Sequence, residues 1–89
     1  MRFERLDLNL LVALDALLTE RSVSLAAERI CLSQSATSSA LGRLRDYFGD
    51  DLLVVKGRQM VLTARGESLV EPVRAVLEQI KTTIAVTPP

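Results

Sequence analysis

Histidine is missing altogether from this chain of 89 residues, and cysteine occurs once, at Cys31. Without histidine there is no Ser-His or Cys-His pair to activate a nucleophile, and a zinc site would lack its usual ligands. One cysteine excludes an internal disulfide framework, so a reducing compartment fits best. The four glycines form neither a GxxxxGK[ST] phosphate loop nor a dinucleotide fingerprint. A serine–lysine arrangement survives on composition, yet Lys56 and Lys81 have no serine at a recognisable motif spacing. The chain is not expected to be an enzyme, and neither metal nor cofactor is expected in it.

Aromatic residues make up only 3% of the chain and tryptophan is absent, while the hydrophobic fraction reaches 48%. Leu, Val, Ala and Ile must therefore fill the core, which suits helices packed on helices. A chain this short makes one small domain that buries roughly 60–65% of its unfolded surface. No sign of charge dominates: 11 Lys and Arg balance 11 Asp and Glu, for a net charge of +0. A monomeric nucleic-acid binder is more often basic overall. Phosphate contacts are made by one face, however, so local charge matters more. Between Ser33 and Arg45 there are two arginines and no acid. Lys56, Arg58 and Arg65 follow, whereas the acids sit elsewhere, at Glu4, Asp7, Asp15, Glu20 and Glu28 and in a patch at Asp46, Asp50 and Asp51. No stretch approaches the roughly 20 apolar residues of a membrane span. The opening MRFERLDLNLLVALDALLTE is interrupted by Asp7, Asn9 and Asp15 and is unlike a signal peptide. A soluble, cytoplasmic protein without a membrane partner is expected.

Along the chain, Asp7 is placed to cap a first helix of about Leu8 to Glu20, with Leu10, Leu11, Ala13, Leu14, Leu17 and Leu18 as its core stripe. Leu8 and Val12 fall outside that stripe. They are either ordinary exposed apolar residues or a second contact surface for another chain. Arg21-Ser22-Val23 makes a short connection, and Ser24 is expected to cap a helix from Leu25 to about Ile30. Cys31 and Leu32 form the following turn. With Ile30 and Leu32 as neighbours, Cys31 is expected to be a buried small hydrophobe rather than a reactive thiol. Ser33 then caps a helix that Gly49 ends.

Here the period changes. Leu52-Leu53-Val54-Val55 and Met60-Val61-Leu62 are short β-prone runs, with Lys56-Gly57-Arg58-Gln59 as a tight reversal between them. This predicts a small hairpin, or wing, at about residues 52–62. Its cationic tip is either a solvated turn or a probe for a DNA minor groove. Thr63 is placed to cap a long helix of about Ala64 to Val86, striped by Leu69, Val73, Val76, Leu77, Ile80 and Ile84. So small a domain cannot cover such a helix, so its distal half is expected against a partner helix. Pro72 inside it removes one ladder bond and should bend it, and Pro88-Pro89 ends the helical pattern.

The helix from Gln34 to Phe48 has an unusual outer face. At 3.6 residues per turn, Ala36, Ala40, Leu41, Leu44, Tyr47 and Phe48 gather on one side. The other side carries Gln34, Ser35, Ser38, Ser39, Gly42, Arg43 and Arg45. A solvated face usually mixes long Lys and Glu side chains; this one is small, hydrogen-bonding and free of acids until Asp46. Such a face lets a backbone come close to a polyanion, as a recognition helix in a major groove must. Gln34 is the candidate base reader, since an amide can bind adenine through two bonds. Ser33, Ser35, Ser38 and Ser39 could serve phosphates or base edges, or be no more than caps and solvated small residues. Arg43 and Arg45 could equally be surface charge, and Thr37 lies towards the apolar side.

Two paired helices, a wing and a long striped helix together are much more specific than any one of them. The phrases LDLNLLVALDALLTERSVSLAAERICLSQSATSSALGRLRDYFGDDLLV, KGR and LTARGESL resemble the N-terminal DNA-binding region of LysR-type transcriptional regulators, across essentially the whole chain. The opening and GRLRDYFGDDL look especially like the nodulation-regulator and aromatic-catabolism branch. The resemblance implies a mainly α fold: a winged helix-turn-helix of three helices plus a two-stranded hairpin over residues 1–63, with the motif at about 23–42. A linker helix at 64–87 would pair antiparallel with its partner's in a homodimer and pack on the first helix. DNA contacts would come from Ser33, Gln34, Ser35, Ser38 and Ser39, with Arg58 entering the minor groove. Two positions depart from the family pattern. Ser35 stands where proline is common, and Ser39 where arginine is frequent, so one charge-assisted contact is missing. Arg43, on the same face, is the candidate substitute.

The expected function is therefore sequence-specific binding of promoter DNA by a dimeric bacterial transcription regulator, on an inverted repeat. The dimer interface would use Leu8, Val12, Leu69, Val73, Val76, Leu77, Ile80 and Ile84. The family's C-terminal effector domain, which binds a small inducer, is absent from these 89 residues, so a fragment of a longer regulator is expected. Tetramers and contact with RNA polymerase would belong to the full-length protein. Two rivals remain open: a winged helix that binds protein rather than DNA, and a plain dimerisation module built on the long helix.

Overall fold

In the computed structural model, which describes residues 6–84, the helix α1 (Leu8–Glu20) is the post on which the rest is hung. Asp7 starts it, its carboxylate accepting the Leu10 amide at 3.0 Å. Leu10, Ala13, Leu14, Ala16, Leu17 and Leu18 are buried, and Leu11 is half-buried. Helices α2 (Val23–Arg29), α3 (Gln34–Phe48) and α4 (Ala64–Ile84) all pack against α1. Leu8 and Val12 stay out of this core, 52% and 42% exposed.

The cap of α2 differs from expectation. Ser22, not Ser24, starts the helix: its hydroxyl accepts the Leu25 amide at 3.2 Å, and its carbonyl takes the Ala26 amide at 3.0 Å. The two serines lie two residues apart, and the cap at Ser22 starts the helix about half a turn earlier, at Val23. Ser24 is left beside Ser22, hydroxyl to hydroxyl at 3.1 Å.

Cys31 also departs from expectation. It is exposed, with φ 59°. The Leu32 amide reaches back to the Ala27 carbonyl at 2.9 Å and the Cys31 amide to Glu28 at 3.2 Å. That pair of bonds ends a helix with one left-handed residue. Cys31 occupies the left-handed place, which turns its side chain away from the core while Ile30 remains half-buried.

In α3 the Ser33 hydroxyl caps the Ala36 amide at 3.1 Å, and Gly49, with φ 63°, ends the helix. Leu41 and Leu44 are buried as the period requires, and Thr37 is fully buried, its hydroxyl donating to the Ser33 carbonyl at 2.9 Å. Ala36, expected on the apolar side, is exposed and borders an open cleft with Leu10 and Leu32. Phe48 closes the far end, with Tyr47 edge-on at 5.1 Å and the Arg65 guanidinium over its ring at 5.7 Å.

The wing is β1 (Leu53–Lys56) paired antiparallel with β2 (Gln59–Leu62), in the register Leu53↔Leu62 to Lys56↔Gln59. Two residues, Gly57 and Arg58, make the loop, and Gly57 takes φ 68°. Leu52 lies before the strand. It is fully buried at φ 65°, held by its amide to the Asp50 carboxylate at 2.8 Å and by its carbonyl, which accepts the Thr63 amide at 2.9 Å. The Thr63 hydroxyl donates to the same carboxylate at 2.7 Å and accepts the Gly66 amide at 3.0 Å, so one cluster fixes the base of the wing and caps α4. At Gly66 any Cβ would run into the Leu52 carbonyl oxygen, which explains glycine inside a helix.

Helix α4 runs 21 residues, about 31 Å, through Pro72 without a break. Pro72 is exposed, so the ladder bond it cannot make is lost on the solvent side. The expected continuation to Val86 and the stop at Pro88-Pro89 lie outside the described residues. Val73 is buried in the protomer's own core, and Leu69 and Leu77 pack against that core. Beyond them Val76 and Ile84 are 46% and 68% exposed.

Candidate nucleic-acid interface

The outer face of α3 is open. Ser33, Gln34, Ser35, Ser38, Ser39, Gly42 and Arg43 are all exposed. The core side chains Thr37, Leu41 and Leu44 draw the helix onto α1 and leave the small polar residues outward. Ser33 keeps its hydroxyl close to home, on the Ala36 amide and 3.4 Å from the Ser35 hydroxyl. Ser38 and Ser39 form no side-chain hydrogen bond among the described residues. Their hydroxyls can both donate and accept.

Gln34 and Arg58 come together across an open groove of about 660 Å³ between the start of α3 and the wing. Arg58 is exposed at the hairpin tip, and among the described residues neither it nor Arg43 is in an ion pair. Arg43 sits apart from this groove. It lines one shallow cleft with Ser39 and Asp7, and another with Asp46 and Tyr47. Asp7 and Asp46 thus border the same clefts as Arg43, and Asp7 also borders Ala36 and Ser39, whereas the groove at Gln34 is lined by neither.

Arg45 does not belong to the outer face. Its Nε donates to the Asp51 carbonyl at 2.8 Å and its Nη2 to the Leu53 carbonyl at 2.7 Å. Gln34 and Arg45 lie about three turns apart on one flank of the helix, the flank that faces the wing. At Gln34 that flank opens into the groove; at Arg45 it is sealed by backbone. The acids are partly spoken for as well. Asp50 accepts from Thr63 and Leu52, and the Thr63 hydrogen bond, then that of Leu52, holds its carboxyl below the usual carboxylate range against a small opposing effect of burial. Glu20 and Asp15 both face Arg29, at 3.2 and 3.9 Å.

Residues 8–67 match the family described as bacterial regulatory helix-turn-helix protein, lysR family. The chain belongs to that family. Among curated relatives, Nodulation protein D of Azorhizobium caulinodans is 60% identical and Nodulation protein D 1 of Neorhizobium galegae 57%, each over 84 residues. That is 94% of this chain but 27% of either relative, so the chain spans about a quarter of the length of the proteins it matches. The probable transcriptional regulator PA0477 of Pseudomonas aeruginosa shares the fold with a TM-score of 0.89 at 41% identity, over 98% of this chain and 29% of that one. The CbnR DBD in its DNA complex aligns with a TM-score of 0.78 at 26% identity, over 88% of this chain and 90% of that one. The nodulation-regulator likeness and the mainly α winged helix-turn-helix fold read from the sequence both hold. No helix among the described residues is long and apolar enough to cross a membrane.

What the sequence did not flag is the third wall of the groove. Arg21, Ser22 and Ser24, read only as a connection and a cap, line it opposite the wing. The left-handed turn at Arg21, φ 53°, folds the α1–α2 corner towards the hairpin, a placement that local pattern does not encode.

Proposed function

We propose that this LysR-family domain binds duplex promoter DNA sequence-specifically, as a homodimer on an inverted repeat. The observation that carries the reading is the acid-free, exposed first half of α3, which shares one groove with Arg58. Gln34 reads a base edge, Ser35, Ser38 and Ser39 contact phosphates or bases at short range, and Ser33 combines its cap with a phosphate contact. Arg58 enters the adjoining minor groove, where negative potential is strongest when the groove is narrow. Arg43 adds a weaker phosphate contact at the far end. This agrees with the CbnR relative, which was crystallised with DNA.

The dimer forms through α4. Val76 and Ile84 continue its stripe past the protomer's own core, and Leu8 and Val12 supply the receiving face on α1. Ile80, half-buried, bridges the two regions, while Leu69 and Leu77 flank the contact. Val73 is already enclosed in its own protomer and adds little. Two recognition helices then enter major grooves about one turn apart, roughly 34–36 Å. The longer regulator is cytoplasmic, takes a small-molecule inducer in a further domain, and uses that domain for tetramers and for contact with RNA polymerase.

The test is binding to duplexes selected from random DNA, titrated with salt. The logarithm of affinity should fall against the logarithm of salt with a slope of about −0.9 per phosphate neutralised. Ser38→Glu should then lose binding. A carboxylate about 5 Å from a phosphate costs about 3 kcal/mol at an effective dielectric of about 20, roughly a 100-fold loss. Ser38 is exposed and its side chain makes no hydrogen bond among the described residues, so the thermal midpoint should not move. A flat salt response would turn the serine face over to a protein partner. Undiminished binding of Ser38→Glu would remove that residue from the interface.

A further inference from the structure

The groove beside Gln34 has basic residues on both walls, and only one of them has a task so far. Arg58 stands on the wing; Arg21 stands on the opposite wall, at the corner between α1 and α2. At that corner Arg21 takes φ 53°, and its amide bonds the Leu17 carbonyl at 2.8 Å. Its guanidinium is exposed and in no ion pair among the described residues. The one acid lining the groove is Glu20, which would repel a polyanion. Its carboxylate is taken by Arg29, whose Nη1 donates to it at 3.2 Å. With Glu20 offset, the groove carries the charge of Arg21 and Arg58. Ser24, its hydroxyl engaged only with that of Ser22, adds a polar group to the same wall.

We infer that this groove seats the DNA backbone and that Arg21 is a phosphate-binding residue, closing on the strand from the side opposite Arg58. The inference rests on the duplex-DNA reading above and adds a contact to it. Phosphate contacts fix a protein's register on the duplex without reading sequence. Arg21 therefore positions Gln34 at the groove edge and contributes equally on any sequence.

Arg21→Gly is a clean perturbation, because glycine takes a positive φ without penalty and the backbone bond to Leu17 needs no side chain. With the 89-residue chain and a selected duplex, the salt slope should become shallower by about 0.9 per protomer. Affinity should fall by a similar factor, roughly threefold to tenfold, on the selected and on a scrambled duplex alike. Arg21→Lys should restore the slope. If the parent chain binds DNA with a salt response and Arg21→Gly leaves the slope unchanged, Arg21 is no phosphate contact and the inference fails alone. A loss confined to the selected duplex also overturns it, by making Arg21 a base reader. If the parent chain shows no salt-dependent binding to any duplex, the DNA reading fails first and takes this contact with it.

Discussion

Replacing Arg45 with methionine keeps an unbranched apolar stem and removes the two hydrogen bonds that tie the end of α3 to the base of the wing. Those bonds, 2.8 Å to the Asp51 carbonyl and 2.7 Å to Leu53, come from one charged group. Hydrogen bonds from charged donors contribute about 1.5–3 kcal/mol each. The Asp51 bond is exposed, so water replaces much of it; the Leu53 bond is partly buried, and its carbonyl is left short of a partner. A net loss of about 2 kcal/mol follows, with the Leu53 bond as the larger share. For a domain of this size that lowers the melting temperature by about 8–16 °C. The assay is urea or thermal unfolding at one fixed protomer concentration, because a dimer makes stability concentration-dependent. DNA affinity measured well below the melting temperature should keep the parent's salt slope, since this guanidinium faces the protein. Stability within about 0.5 kcal/mol of the parent, together with a slope shallower by about 0.9, would return Arg45 to the DNA face and refute the reasoning.

Cys31→Gly should stabilise the domain. A Cβ in the left-handed region costs about 1–2 kcal/mol, glycine's extra freedom when unfolded takes back about 0.5–1, and the exposed thiol forfeits little packing. A gain of up to about 1 kcal/mol, read as a rise of several degrees in a melt under reducing conditions, is expected; a fall would mean that the thiol packs after all. Asp50 makes the domain acid-sensitive. Its carboxyl is held below the usual carboxylate range by the Thr63 hydroxyl and then the Leu52 amide, so its contribution is complete above that range and lost as pH falls through the depressed folded value. The urea midpoint of the parent should therefore drop more steeply below about pH 4 than that of Asp50→Asn, and parallel curves would assign the acid response to other carboxylates.

These tests fall where the sequence was hardest to read. Helix ends set by one side chain and one amide were legible: Asp7, Ser33, Gly49 and Thr63 each act within four residues of the place they mark. Ser22 and Ser24 were not separable that way, since both can cap and only the packing of Ala26 and Ala27 on α1 sits downstream of the choice. At Cys31 the apolar neighbours Ile30 and Leu32 point to burial, whereas the turn that ends α2 requires a left-handed residue there.

Arg45 shows the limit most clearly. A helical wheel places it beside Gln34, and on the wheel both belong to the polar side. Whether that side meets water or protein is decided by the hairpin, whose strands begin eight residues after Arg45 in the chain. The wing covers the flank at Leu53 and leaves it open at Gln34, with Arg58 and Arg21 on either side of the opening. An apolar stripe announces its own burial; a polar flank does not announce its own exposure. The residues available to a duplex are consequently those of the first turns of α3 together with the rim of the groove. A carboxylate placed at Ser38, in the middle of that stretch, should weaken duplex binding more than removal of the Arg43 charge in Arg43→Ala, because Asp7 and Asp46 border the same clefts as Arg43; equal losses of affinity at one salt concentration would overturn that order.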